Sequence, residues 1–192
     1  MASHGKQVLV TLTLGIWLAS AAPVWPEALA KPSIEIYYAP EDLPGDRLVA
    51  LYRKARRYIY VAIYGLTYPP IVRELVAAKK RGVDVRIITD REKVSDPKQE
   101  SALRTLRLAG IPIKVNRHDY LMHLKQVVID DVINTSGSMN QTSSGNQYND
   151  ERLDVVFDPI TTARARKKFL SMWQDPTRYQ DWQDDTPRLK PP

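Results

Sequence analysis

His123-Leu-Lys125-Gln-Val-Val-Ile-Asp130, continued by Asp131-Val-Ile-Asn-Thr-Ser-Gly137-Ser138-Met139-Asn140, is the stretch on which the reading of this chain turns. Its apolar centre predicts a strand over Leu124–Ile129, and side chains alternate along a strand, so His123 and Lys125 project from the same face. An imidazole and an ammonium then sit side by side at the strand's edge. Gly137-Ser138-x-Asn140 adds an unobstructed backbone, a hydroxyl and an amide, all able to donate to anionic oxygens. Such a set suits a tetrahedral anion: Lys125 and Asn140 hold the non-bridging oxygens, and His123 attacks or moves protons. Glu151 follows eleven residues beyond Asn140.

Outward from this stretch, strands and helices alternate. Ile34–Tyr38 predicts a strand. Asp46 is expected to cap a helix running to Tyr58, with Leu48, Val49, Leu51 and Tyr52 on its apolar side. Ile59–Leu66 is a continuous β-branched and aromatic run, the pattern of a strand buried on both faces. Pro69-Pro70 opens a helix to Arg81 that Gly82 stops, and Val83–Thr89 is the next strand. A helix over Gln99–Ala109 precedes short strands at Ile111–Val115, Leu124–Ile129 and Val132–Asn134. Leu153–Phe157 is the last strand, and Asp158-Pro159 caps a final helix over Ile160–Gln174. The pattern reads as a single α/β domain over 31–179, a mixed β-sheet sandwiched between helices. Residues 180–192 are polar and Pro-containing and are expected to trail off disordered.

The first thirty residues read as a secretory signal. A short basic start precedes the uncharged Val8–Ala22, and Ala28-Leu29-Ala30 supplies an A-x-A cleavage site, with an alternative cut after Ala21. About 15 apolar residues fall short of the roughly 20 that a bilayer span needs. The mature protein, 31–192, is expected to be periplasmic or secreted. The absence of Cys excludes disulfides, thiol catalysis and thiolate zinc sites. Three histidines, His4, His118 and His123, argue against a multi-histidine metal centre. A net charge of +6 favours polyanionic partners, nucleic acid or acidic lipid headgroups.

The pattern H-x-K-x4-D-x6-G-S-x-N resembles the phospholipase D superfamily, with every spacing matched. Leu75-Val-Ala-Ala-Lys-Lys-Arg-Gly-Val-Asp-Val-Arg-Ile87 and Phe169-Leu-Ser-Met-Trp-Gln-Asp175 resemble the small bacterial endonucleases of that superfamily, which extends the likeness to roughly 33–178. The resemblance implies a phospholipase D-like domain with one HKD motif per chain. It also implies a homodimer that builds one active site from two chains, and a phosphohistidine intermediate. His123 of one subunit would attack phosphorus, and the same residue of the other would protonate the leaving oxygen and then activate water. Lys125, Ser138 and Asn140 would bind the phosphoryl oxygens. Glu151 would accept from the imidazole's other nitrogen. Gly137 keeps the loop open, and Asp130 is read as structural. Two lysines would replace a divalent cation, so no metal or cofactor is implied.

The chain holds one motif: His4-Gly5-Lys6 has Thr11 where Asp is required, and His118 has no Lys two residues on. Gln126 departs from the pattern and is expected to touch loop or solvent. His118 reads as a loop histidine, and the tyrosines Tyr37, Tyr38, Tyr60 and Tyr64 read as core more readily than as base-stacking rings. The cationic clusters at Arg53–Arg57 and Lys79–Arg81 read as solvated helix faces, and Arg164, Arg166, Lys167 and Lys168 sit near a helix C-terminal half, where cations are favoured. The favoured function is a nonspecific endonuclease cutting DNA or RNA. The alternatives are a phospholipase D that releases lipid headgroups and a catalytically quiet nucleic-acid-binding protein.

Overall fold

A computed structural model describes residues 33–183. The expected signal segment, its cleavage site and residues 184–192 lie outside the described residues.

The backbone forms one eight-stranded mixed sheet with helices on both faces, the architecture read from the sequence. Its strands are β1 (Ser33–Ala39), β2 (Tyr58–Ile63), β3 (Asp84–Thr89), β4 (Ile113–Asn116), β5 (Lys125–Ile129), β6 (Ile133–Gly137), β7 (Glu151–Phe157) and β8 (Tyr179–Asp181), in the order β1-β7-β6-β5-β2-β3-β4-β8. The β2-β3-β4 centre is parallel and every other pairing is antiparallel. Parallel strands need crossovers, which α2 (Pro69–Lys80) and α3 (Pro97–Leu108) supply.

Every residue of β2 is buried, and its alternation divides the core. Ile59, Val61 and Ile63 face Leu48, Leu51 and Tyr52 of α1 (Pro44–Lys54), Ile71 and Leu75 of α2, and Leu103 and Leu106 of α3. Tyr58, Tyr60 and Ala62 face Phe169 and Met172 of α5 (Pro159–Trp173). There the rings of Tyr58, Tyr60, Phe169 and Trp173 stack in series at centroid spacings of 4.5, 4.9 and 5.8 Å. Asp158 caps α5 as expected, accepting from the backbone N–H groups of Ile160 and Thr161.

Several boundaries differ from expectation, for identifiable reasons. Helix α1 starts at Pro44 rather than at an Asp46 cap, because proline's fixed φ suits the first helical position. Asp46 instead lies in the first turn and accepts from the Tyr68 hydroxyl at 3.1 Å. The same helix stops at Lys54, short of Tyr58. The Asp130 carboxylate takes the backbone N–H groups of Arg56, Arg57 and Tyr58 at 2.7, 2.8 and 2.9 Å, pulling that segment out of helical pairing. Gln126 keeps partial contact with solvent and, in addition, its amide donates to the Ala165 carbonyl of α5 at 3.2 Å.

Helix α4 (Ser143–Gln147) and strand β8 had no counterpart in the sequence reading. The short helix α4 is polar throughout and is capped by Thr142. Strand β8 covers the free edge of β4, and Trp182 beyond it donates to the Ile113 carbonyl at 2.9 Å and packs against the core. Ordered chain therefore extends past the boundary expected at 179.

Candidate active site

The C-terminal ends of β2, β3, β4 and β6 and the N-terminal ends of β5 and β7 lie along one edge of the sheet, as the pairings Ile63 with Lys125, Thr89 with Val115, Gly137 with Leu153 and Ala39 with Glu151 require. Open α/β sheets bind ligands outside the carboxyl ends of their parallel strands. Here that edge carries His123, Lys125, Ser138, Asn140 and Glu151.

His123 lies two residues before β5, and Lys125 is the strand's first residue. The Lys125 ammonium stands 3.0 Å from Nδ1 and 2.9 Å from Nε2 of His123, and donates to the His123 carbonyl at 3.1 Å. The two ring nitrogens of an imidazole point in diverging directions in the ring plane, and only one of them carries a free lone pair in the neutral ring, so one ammonium near both is aligned with neither. It is a positive charge held against the ring, which gives a bound anion both a cation and an imidazole at one point. Partial burial pushes the Lys125 pKa below the ordinary lysine value, while the charge of Glu151 acts in the opposite direction.

Tyr64 is a member of this site that the sequence reading assigned to the core. It follows the last residue of β2, and its backbone N–H bonds the Leu124 carbonyl at 3.2 Å. Its ring meets the His123 ring edge-on at 5.0 Å, and the Lys125 ammonium lies 5.6 Å from its centroid. The next residue, Gly65, donates its N–H to the Asn140 side-chain oxygen at 3.0 Å and accepts from Gln141 N–H at 2.9 Å. This commits the carboxamide oxygen of Asn140 and leaves its NH2 group as the donor for a ligand. The turn is braced from below by Gln99, which is fully buried. Its side chain accepts from Leu66 N–H at 2.7 Å and donates to Thr89 Oγ1 at 3.0 Å and to the Tyr64 carbonyl at 3.3 Å.

Gly137 is required by its backbone. Its φ is +136°, and a Cβ there would stand 2.1 Å from the Arg152 carbonyl oxygen. That close approach lets Ser138 fold against β7. Ser138 N–H donates to the Arg152 carbonyl at 3.0 Å, its Oγ accepts from Arg152 N–H at 3.1 Å, and its hydroxyl donates to the Glu151 carboxylate in a short bond. Both donors of Ser138 are thus committed within the fold. In this arrangement Ser138 positions Glu151. Glu151 in turn accepts from Ser138 and, at 3.4 Å, from Asn149, where the sequence reading placed the imidazole.

Asp130 stands apart from all of these. It occupies the opposite end of β5, five residues from Lys125. At about 3.3 Å per residue this is roughly 16 Å along the strand. It is buried and fully engaged with the three backbone donors that end α1.

Among the described residues no group of three or more His, Cys, Asp or Glu is arranged to hold a metal ion, and no helix is long and apolar enough to cross a membrane.

Residues 48–173 match the family described as cardiolipin synthase, PLD-like domain. In structure the chain is similar to Nuc from Salmonella typhimurium, a phospholipase D family member. The TM-score is 0.74 at 27% identity, covering 80% of this chain and 100% of that one. In sequence it is 29% identical over 136 residues to the mitochondrial cardiolipin hydrolase of Xenopus tropicalis, covering 70% of this chain and 64% of that protein. It is 34% identical over 121 residues to a phospholipase D of Rickettsia conorii, covering 62% of this chain and 57% of that protein. The chain thus spans less than two thirds of the length of these two curated relatives.

Proposed function

The chain belongs to the phospholipase D-like family, and from that premise we propose that it is a metal-independent phosphodiesterase, an endonuclease hydrolysing DNA or RNA at a site shared by two copies of the chain. The observation that carries the reading is the convergence of His123, Lys125 and Asn140 on the Tyr64-Gly65 turn: an imidazole, an ammonium and an oriented NH2 donor at one sheet edge.

In the first step an imidazole nitrogen of His123 attacks phosphorus. The N–P bond forms as the P–O bond to the leaving group breaks, and the leaving oxygen takes a proton from His123 of the second copy. In the second step that same imidazole, now neutral, removes a proton from water. The hydroxide displaces His123, the N–P bond breaks, and both imidazoles return to their starting states. Lys125 and Asn140 of each copy hold the non-bridging oxygens, where negative charge builds in both transition states. One chain supplies one His123 and one Lys125, so nucleophile and acid on opposite sides of phosphorus require the homodimer.

Nucleic acid as substrate is supported by the net charge of +6 and by cations flanking His123. Export through the N-terminal signal, to periplasm or medium, is part of the same reading. The second reading, hydrolysis of phosphatidyl lipids, is favoured by the likeness to proteins named cardiolipin hydrolase and phospholipase D.

The test offers single- and double-stranded DNA, RNA and cardiolipin or phosphatidylcholine vesicles in parallel, with EDTA present and His123→Ala as control. His123-dependent cleavage of nucleic acid is the expected result. Headgroup release with nucleic acid left intact replaces the endonuclease by a lipase. Nucleic-acid binding without turnover of any diester replaces both by a binding protein.

A further inference from the structure

Beside the reacting centre lies a cleft of about 410 Å3 lined by Tyr120, Leu121, His123, Lys168 and Arg178 among others. That volume is within the roughly 300–1,000 Å3 of sites that take one small ligand. Because His123 lines it, whatever fills it is attached to, or adjoins, the group under attack.

One wall is the connection between β4 and β5. It is held firmly from beneath. The fully buried Asp90 accepts from Met122 N–H at 2.7 Å, and the buried Asn116 donates to the carbonyls of Tyr120 and His118 at 2.8 and 3.3 Å. Arg117 N–H bonds the Arg178 carbonyl at 2.7 Å, and the His118 ring meets Tyr179 edge-on at 5.8 Å. Yet this anchored segment presents Tyr120 to solvent with 83% of its surface exposed. An aromatic ring on a braced backbone, left largely uncovered among the described residues, is a pre-organised stacking surface.

The other wall supplies charge. Lys168 on α5 and Arg178 before β8 are exposed, and neither is in a salt bridge among the described residues. Asp175, the acidic group beside Arg178, has one oxygen taken by the N–H groups of Thr177 and Arg178 and by the Thr177 hydroxyl. His118 Nδ1, also on the cleft, is buried without a hydrogen-bond partner.

Resting on the nucleic-acid reading above, we propose that this cleft is the subsite for the nucleotide next to the scissile phosphate. The base of that nucleotide stacks on Tyr120, and its phosphate is held by Lys168 and Arg178. A bilayer surface fits less well, because one tyrosine and a half-exposed Leu121 bury too little apolar area to anchor on lipid.

The test uses the whole chain as wild type, as Tyr120→Ala and as the double variant Lys168→Gln/Arg178→Gln. It compares kcat/KM on a short single-stranded oligonucleotide with kcat/KM on bis(p-nitrophenyl) phosphate, a diester with no neighbouring nucleotide. In Tyr120→Ala the ratio of the two values is expected to fall roughly 5- to 150-fold, the range of one stacked base. In a His123→Ala background the double variant is expected to bind the oligonucleotide with a log–log salt slope shallower by about 0.7, the loss of one neutralised phosphate. Wild-type ratio and slope in both variants overturn the subsite while leaving the nuclease standing. Loss of anionic-vesicle capture in Tyr120→Ala, with the oligonucleotide ratio kept, makes the segment a membrane contact and overturns it too. If wild type hydrolyses vesicles and leaves the oligonucleotide intact, the nucleic-acid reading falls and the subsite with it.

Discussion

Replacing Asp130 by Asn separates the structural from the chemical members of the motif. The carboxylate binds three backbone N–H groups, Oδ2 taking Arg56 and Oδ1 taking Arg57 and Tyr58. Asn keeps one acceptor oxygen. Its NH2 group then faces the Arg56 N–H, so one bond is lost and a part-buried donor is left without that partner. A hydrogen bond to a charged group contributes about 1.5–3 kcal/mol, and an unsatisfied buried donor costs about 1–3 kcal/mol. Allowing for partial relaxation, Asp130→Asn is expected to cost about 2–4 kcal/mol, a fall in Tm of about 4–16 °C for a domain of this size. Asp130→Ala, which strands all three donors, is expected to cost more. Turnover of a small diester at 20 °C, well below the transition, should stay within about threefold of wild type, since Asp130 lies roughly 16 Å from Lys125 along β5. Denaturant unfolding followed by tryptophan fluorescence gives the stability, and initial rates give the turnover. A variant as stable as wild type but slowed a hundredfold refutes the assignment and places Asp130 in the chemistry.

Four further substitutions probe the site and its frame. Burial lowers the Lys125 pKa, so the ammonium that holds the phosphoryl oxygens is lost at lower pH than an ordinary lysine. The alkaline limb of kcat/KM should shift further down in Glu151→Gln, which removes the opposing charge, and should vanish in Lys125→Arg; pH–rate profiles check both. Gly137→Ala places a Cβ against the Arg152 carbonyl at a φ that alanine resists, so a loss of more than about 3 kcal/mol is expected by denaturant titration. Asp158 is held below its usual pKa by the Thr161 backbone N–H and then the Thr161 hydroxyl. A depressed carboxylate pKa stabilises the fold above the unfolded value of about 3.9 and ceases to do so as pH falls through the folded value. Asp158→Ala should therefore unfold more readily than wild type at neutral pH, and the gap in Tm should close as the pH drops below about 3.9.

The architecture was legible in the sequence because its central elements carry strong local signals. The β-branched and aromatic run from Ile59 marked a buried strand, although the strand ends at Ile63 and not at the expected Leu66, and Asp158-Pro159 encoded the α5 start in two residues. What escaped were elements whose stability comes from elsewhere in the chain. Helix α4 has no apolar periodicity, being held by the Thr142 cap and by Asn146, whose side chain accepts from Gly45 N–H at 2.6 Å across the fold. Strand β8 exists because β4 has an edge to cover, and the end of α1 is set by Asp130, some seventy residues away.

The site divides along the same line. His123, Lys125 and Asn140 stand out because the chemistry fixes both their types and their spacing. Tyr64 and Gly65 do not, since they hold no unusual residue type and resemble the tail of a core strand. They belong to the site through the antiparallel pairing of Ile63 with Lys125, which delivers the end of β2 to the start of β5. The nearest sequence signal is a glycine directly after a fully apolar strand, where a chain commonly turns or meets another backbone closely. A Cβ on Gly65 would stand 3.1 Å from Thr142 and 3.3 Å from Asn140, so the glycine is there to let the Asn140 loop approach. Ser138 carries the same lesson in reverse. Its type and position suit an anion, yet the fold spends its hydroxyl on Glu151. A motif names which side chains gather at one edge of the sheet; the division between those that meet the ligand and those that hold their neighbours is set by pairing partners that the motif does not contain.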